Sequence, residues 1–386
     1  MDERTRLIRN ATRRGGPRRP VNPPVERATT LLNAKAEDLR DETAGPVYGI
    51  DGMAVHRTLE AALADLERAE GVALVPTGLA AVTTALLALL RPGDEVLATD
   101  GCYGPTRRFM ERRLPRLGMR ARYHSPRATA AEAAALIGPA TRVLFIESPS
   151  TATFEVQDTP ALIAMAAERG VATVVDNTWA AGMLFRPLDH GATVTLQALS
   201  KYAGGHSDVF MGAIAWRDEA AGRKVRTLIE DLGSFVSPDD AYLVLRGLRT
   251  LPLRLAQHGE AALHVAQWLE RRPEVARVLY PALPSSPDHA LWRRDFSGAS
   301  GLLGLVLKPG STQAAQAMLN ALELFGLGFS WGGFESLATF EGPQLAVRAA
   351  PEAIEGPLIR LHVGLEAPED LIADLGRGLD VYAAMM

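Results

Sequence analysis

The 386-residue chain contains one cysteine, Cys102, so an intramolecular disulfide framework is excluded. That scarcity fits a reducing compartment. Charge of one sign is lacking as well. The 41 Lys and Arg stand against 45 Asp and Glu, the formal net charge is −4, and no global basicity points to nucleic acid. No apolar run is long enough to span a membrane: the longest, around Leu79 to Leu90, covers about 12 residues where roughly 20 are needed. No apolar h-region follows the start, so a secretory signal is not expected. The eight histidines show no metal-holding spacing such as His-Glu-x-x-His, and no metal is expected. There is no internal repeat, and the one compositional bias is toward alanine.

What is present is a globular composition, 47% hydrophobic and 22% charged. The length accommodates two or three domains at roughly 150 residues each. Seven arginines precede Val21: Arg4, Arg6, Arg9, Arg13, Arg14, Arg18 and Arg19. They read as a solvated arm, a transit-like segment or an anion-binding tail. No aromatic residues interleave with them, which leaves a nucleic-acid role without support. Residues 1–45 lack strong periodicity and carry Gly15, Gly16, Pro17, Pro20, Pro23 and Pro24, so an extended arm is expected there.

Beyond the arm the pattern alternates. Leu59, Leu63 and Leu66 recur at i, i+4, i+7, an amphipathic helix. Val72–Val75 reads as a short buried strand. Thr77-Gly78 then opens an apolar helix that ends before the turn Arg91-Pro-Gly-Asp94. Glu95–Thr99, Arg142–Glu147, Val171–Asp176, Val194–Leu199 and Met211–Trp216 read as strands, and Thr159–Arg169 as a helix with Thr159 as N-cap and Gly170 as C-cap. Near-continuous apolar strands alternating with helices predict an α/β fold built on a mostly parallel, doubly wound sheet covered on both faces. After about Leu251, helix Ala261–Arg271, strands Val275–Tyr280, Gly301–Lys308 and Leu358–Leu365, and helix Pro368–Ala384 predict a smaller α/β domain.

In open parallel sheets, ligands gather beyond the carboxyl ends of the strands. The polar residues expected there are Thr77-Gly78, Glu147-Ser148-Pro149, Asp176-Asn177-Thr178-Trp179 and Ser200-Lys201-Tyr202. One acid, one lysine, hydroxyls and a glycine turn at a helix start are the parts of a pyridoxal-phosphate site. That cofactor needs a lysine for a Schiff base, a carboxylate for its ring nitrogen and a cradle for its phosphate. Taken singly, each part has a plainer reading: Lys201 as a solvated surface lysine, Asp176 as a turn or cap residue.

Longer motifs narrow the choice. Asp176-Asn-Thr-Trp-Ala-Ala-Gly182, Gln197-Ala-Leu-Ser-Lys-Tyr-Ala-Gly-Gly-His-Ser-Asp208, Tyr242-Leu-Val-Leu-Arg-Gly-Leu-Arg-Thr-Leu251, Phe329-Ser-Trp-Gly-Gly-Phe-Glu-Ser336 and Ile359-Arg-Leu-His-Val-Gly-Leu-Glu366 resemble the Cys/Met-metabolism family of pyridoxal-phosphate enzymes. The resemblance runs from about Thr5 to about Asp380. It implies the fold of type I pyridoxal-phosphate transferases, with an arm at 1–50, a cofactor domain at 51–247 and a C-terminal domain at 248–386. Within the family it points to the bacterial members that eliminate at the β-carbon of cystathionine. It further implies that Lys201 carries the cofactor, Asp176 pairs with the ring nitrogen, Tyr103 stacks on the ring, and Gly78, Leu79 and Ser200 hold the phosphate. Arg360 would bind the substrate carboxylate with Ser330 and Trp331 beside it, and Tyr48 would reach into a neighbouring subunit's site. The implied partners are an amino-acid substrate and further copies in a homotetramer, with no nucleic acid and no membrane, in the cytoplasm.

Two departures stand out. The family commonly has Tyr-x-Arg where this chain has Tyr48-Gly-Ile50, followed by Asp51, so Arg57 or the basic arm is left to supply a phosphate cation. Glu147-Ser-Pro-Ser-Thr151 stands where many members have Asn-Pro, which leaves Thr151 as the candidate partner of the ring's 3-oxygen. Other readings remain open: elimination, replacement or sulfhydrylation at Cγ, β-elimination from other cysteine S-conjugates, and a non-catalytic cofactor-binding protein. Ser330-Trp331 resembles the β-acting members. Trp331 and Tyr103 also read as core packing, and Arg360 as the partner of a structural carboxylate.

Overall fold

Short runs of β-branched and aliphatic residues build two sheets in the computed structural model, which describes residues 2–10, 20–41, 43, 45–349 and 353–386. The expected readings at Arg13, Arg14, Gly15, Gly16, Pro17, Arg18 and Arg19 lie outside the described residues. The first sheet comprises β1 Gly71–Val75, β2 Glu95–Thr99, β3 Arg120–His124, β4 Thr141–Glu147, β5 Ala172–Asp176, β6 Val194–Ala198 and β7 Gly212–Trp216. Their order is β1-β7-β6-β5-β4-β2-β3. The five strands from β6 to β3 are mutually parallel, and β7 alone runs antiparallel to both of its neighbours. Every residue of β1, β2 and β7 is buried, as strands covered by helices on both faces must be.

Strand β3 carries no apolar run, and the sequence reading passed over it. It is an edge strand whose outward residues are Arg120 and Arg122. Both guanidiniums bind the buried Glu95 at the start of β2, Arg120 Nε at 2.7 Å and Arg122 Nη2 at 2.8 Å from its carboxylate. Charge on an edge also blocks pairing with another chain.

The second sheet holds β8 Val275–Leu279, β9 Leu302–Leu307, β10 Gly326–Leu327, β11 Leu337–Phe340 and β12 Leu358–His362, in the order β10-β11-β12-β9-β8. It is antiparallel except where the short β10 meets β11. Helix Leu251–Leu269 joins the two cores. Leu251 and Leu255 pack into the core under the first sheet, while Ala261, Val265 and Leu269 pack under the second.

Two expectations need correcting. The arm is not extended throughout: Glu3–Asn10 is a helix, and Leu7, 2% exposed, joins the core beside helix Ala54–Glu67. An isolated polar helix this short is not stable in water, so the contact made by Leu7 holds it. The N-cap of helix Thr159–Glu168 is Asp158, whose side chain accepts from Ala161 N–H at 3.2 Å; Thr159 is already inside the first turn. A carboxylate caps as well as a hydroxyl and also complements the helix dipole.

Candidate active site

Strands β4, β5 and β6 end side by side, and each delivers one functional side chain to the same edge. Glu147 closes β4 and is paired in register with Asp176, which closes β5. Lys201 sits in the turn after β6, its N–H donating to Ala198 C=O at 3.1 Å. Thr178 ties these ends together. Its hydroxyl donates to Asp176 Oδ1 at 2.6 Å and accepts from Ala198 N–H at 2.9 Å. Asp176 Oδ1 also accepts Thr178 N–H at 3.0 Å. The sequence reading placed Thr178 at the strand end without a role.

Behind Lys201 the helix Gly78–Leu89 begins, capped by the Thr77 hydroxyl, which accepts from Ala80 N–H at 3.0 Å. A Cβ on Gly78 would lie 2.4 Å from Ala198 Cβ, so only glycine lets the helix start approach β6 this closely. Gly78 and Leu79 occupy the first turn, whose N–H groups have no partner within the helix. Gly78 lies against Ala198, at the end of the strand that leads into the Ser200-Lys201 turn, where a helix start favours an anion.

The other wall comes from the second sheet and its loop between β10 and β11. Lys201 Nζ donates to Ser330 Oγ at 2.8 Å and lies 5.4 Å from the centre of the Trp331 ring. Arg360, on β12, donates from Nη2 to the carbonyl of the same Ser330 at 3.0 Å. Its Nε, 3.7 Å from Glu341, has no hydrogen-bond partner among the described residues although it is buried. Trp331 packs on Tyr202 at 5.4 Å between ring centres. Tyr103 is the N-cap of helix Gly104–Arg112, and its N–H donates to Glu147 Oε2 at 2.7 Å. Its ring is half exposed and sits within electrostatic reach of Glu147, Arg360, Arg108 and Asp176.

Burial dominates the electrostatics of the site. Burial raises the Asp176 carboxyl above its ordinary range, against the hydrogen bonds from Thr178 and the charge of Lys201. Burial and the facing Asp176 raise Glu147 in the same way. Burial first, and the like charge of Arg360 second, push the Lys201 amine down to about 8 from 10.5. Two carboxylates in register, Glu147 buried and Asp176 half-buried, held by hydroxyl and amide donors, fit a pyridoxal phosphate. Its cationic ring nitrogen beside Asp176 would relieve their repulsion, its phosphate fits the first-turn amides at Gly78 and Leu79, and a lysine whose amine is pushed down to about 8 suits its aldehyde.

A strap completes the floor. Arg348, in the loop after β11, is 2% exposed and donates from Nη1 to Thr153 Oγ1 at 2.6 Å and from Nη2 to Glu155 at 3.1 Å. Its Nε lies 3.8 Å from Asp100, which also accepts Ala349 N–H at 2.9 Å and pairs with Arg107. The segment between β11 and β12 is thereby pinned against the residues that follow β2 and β4.

One expected residue falls elsewhere. Tyr48, 52% exposed, lies on the arm beside Ile50, Met53 and Phe235, and no hydrogen bond joins it to the cluster above among the described residues. Asp51, beside the anomalous Ile50, accepts from Val47 N–H at 2.9 Å and Tyr48 N–H at 2.8 Å, so it shapes this turn. Thr151 gives its hydroxyl to Glu147. Among the described residues no three His, Cys, Asp or Glu side chains group as metal ligands, and no helix is long and apolar enough to cross a membrane.

A family model described as Cys/Met metabolism PLP-dependent enzyme matches residues 4–380. A putative cystathionine beta-lyase of Rhizobium johnstonii is 45% identical over 95% of this chain and 92% of its own length. The cystathionine beta-lyase MetC of Escherichia coli is 41% identical over 93% of each chain. A crystal structure described as metB from Corynebacterium glutamicum superposes with a TM-score of 0.92 at 29% identity, covering 98% of each chain.

Proposed function

The chain belongs to the Cys/Met metabolism family of PLP-dependent enzymes and has the fold of type I PLP transferases, and from that premise we propose that it is a carbon–sulfur β-lyase. The substrate is L-cystathionine, which with water gives homocysteine, pyruvate and ammonia. Two relatives at 41% and 45% identity that carry the cystathionine beta-lyase name support this substrate. The observation that carries the reading is Ser330, bonded at both ends. Its hydroxyl receives Lys201 and its carbonyl receives Arg360, so one residue fixes the proton-moving amine against the carboxylate-binding guanidinium.

Bound pyridoxal phosphate supplies an electron sink that makes the substrate's Cα–H bond acidic. We assign its phosphate to the amides of Gly78 and Leu79 and to Ser200, its ring nitrogen to Asp176 with Thr178 orienting the carboxylate, and its ring face to Tyr103. Arg360 binds the α-carboxylate, with Trp331 walling the pocket, and thereby orients the Cα–H bond toward Lys201. The Lys201 amine, held near neutrality, takes the Cα proton, and Ser330 Oγ steadies it. Glu147 fixes the backbone of Tyr103 from below.

Tyr48 and Ile50 are half exposed beside Phe235, an apolar surface that supports covering by a second copy. Tyr48 would then serve a neighbouring subunit's site within a homotetramer. The arm at 1–50, cofactor domain at 51–247, C-terminal domain at 248–386 and a cytoplasmic location complete the proposal. The test is product identity with the loaded protein and L-cystathionine. Pyruvate, lost in Lys201→Ala, is the expected product; 2-oxobutyrate would place the elimination at Cγ, and no product would remove the lyase reading.

A further inference from the structure

Ser330 adopts a left-handed backbone conformation, φ +87°, which a residue with a β-carbon holds only under constraint, and Gly332 follows at φ +83°. A Cβ on Gly332 would stand 2.7 Å from the backbone nitrogen of Tyr202 and 2.9 Å from the carbonyl carbon of Lys201. The Ser330–Gly332 corner therefore sits directly on the turn that carries the lysine. What holds it there is an imidazole. Gly332 N–H donates to His362 Nε2 at 3.0 Å. His362 is fully buried and lies two residues beyond Arg360 on β12, hence on the same face of the strand.

The geometry also fixes the proton. A peptide N–H points where the backbone aims it, so Nε2 must present its lone pair, and the ring proton of His362 sits on Nδ1. Gly333 C=O, 3.2 Å from the same Nε2, makes the longer contact and does not set the tautomer. The neighbouring His258 has Nδ1 2.9 Å from Val363 C=O, which makes that nitrogen the donor and leaves its Nε2 bare. His362 Nδ1 and His258 Nε2 are both buried without a partner among the described residues, and their rings are 5.2 Å apart. One is a donor and the other an acceptor, so the two tautomers complement each other. Burial, reinforced by His258, pushes the His362 imidazole down to about 3, so it stays neutral around the site's working pH.

We propose that His362 is a positioning residue whose Nε2 lone pair holds the Ser330–Gly332 corner in the shape that presents Ser330 to Lys201 and Arg360 together. The proposal rests on the reading of those three residues as the reacting site. Protonation or loss of the acceptor leaves the Gly332 N–H buried and unsatisfied, and the corner relaxes away from Arg360.

The test compares His362→Leu, which has no acceptor, with His362→Gln, whose side-chain oxygen can take the place of Nε2. In the loaded full-length protein, His362→Leu should keep the cofactor's visible absorbance. Its kcat/KM should fall roughly tenfold to a hundredfold, the effect of one unsatisfied buried donor, mainly through KM because substrate-carboxylate binding is disturbed. His362→Gln should recover most of that loss. Nitrogen-15 NMR of histidine-labelled protein should show imidazoles with the proton on Nδ1, His258 among them, one of which vanishes in His362→Gln, a readout that stands even where the Leu variant fails to fold. Equal impairment of Leu and Gln, an unimpaired Leu variant, or a His362 proton on Nε2 would overturn the proposal. A wild-type protein inactive on cystathionine would sink the lyase reading instead, and the Leu–Gln contrast would then be read on L-alanine binding through the cofactor's absorbance.

Discussion

Replacing Arg360 with methionine should move the titration of Lys201 as well as weaken substrate binding. The amine stands at about 8 against an ordinary 10.5, which corresponds to about 3 kcal/mol between its charged and neutral forms. Burial supplies the largest part, the Arg360 charge the next, and Asp176 opposes both. Arg360→Met removes only the second contribution, and a single near charge shifts a neighbour by on the order of one unit. The readout is the rate at which visible absorbance grows when pyridoxal phosphate is added to cofactor-free protein, followed from about pH 6 to pH 10. Only the free amine attacks the aldehyde, so the wild-type rate should rise toward a midpoint near 8. At pH 7 roughly one amine in ten is then neutral, falling to about one in a hundred in the variant. A wild-type midpoint close to that of a solvated lysine, or a downward shift in Arg360→Met, would refute the reasoning.

Two further outcomes follow from the same electrostatics. Arg348→Ala strips the cation from Glu155, 1% exposed, while Asp100 keeps Arg107, and should destabilise the protein by about 3–5 kcal/mol in chemical unfolding. Glu147→Gln keeps an acceptor for Tyr103 N–H but cannot ionise. Because the Glu147 carboxyl is raised in the folded state, its contribution is full below about pH 4.5 and is lost as pH rises. The variant should therefore gain thermal stability over wild type progressively from pH 5 to about pH 8, measured without cofactor; a pH-independent difference would contradict the assignment.

How much of this was legible in the chain depends on where each partner lies. Asp176 closes one strand of a parallel sheet and Lys201 follows another, where ligands collect by topology, and the apolar runs before them made those strands readable. Arg360 stood out as a cation in an apolar strand. Thr178 and Glu147 were visible as residues but not as connectors, because their roles depend on register between strands. Ser330 lies 129 residues from Lys201, and Arg348 lies 195 from Thr153; no local pattern signals such pairs. His362 had a periodicity signal, two positions from Arg360, that went unused. Strand β3 was hidden because its arginines serve Glu95 rather than a core, and helix Glu3–Asn10 because tertiary contacts, Leu7 in the core and Arg6 beside Asp65, hold an otherwise polar segment.

The central claim is a covalent one, and one experiment reaches it. Borohydride reduction of the pyridoxal-phosphate-loaded protein, followed by proteolysis and mass spectrometry, should place the cofactor's mass on the peptide containing Lys201 and nowhere else. A label on another lysine, or loading that leaves the Lys201 peptide unmodified, would contradict the account.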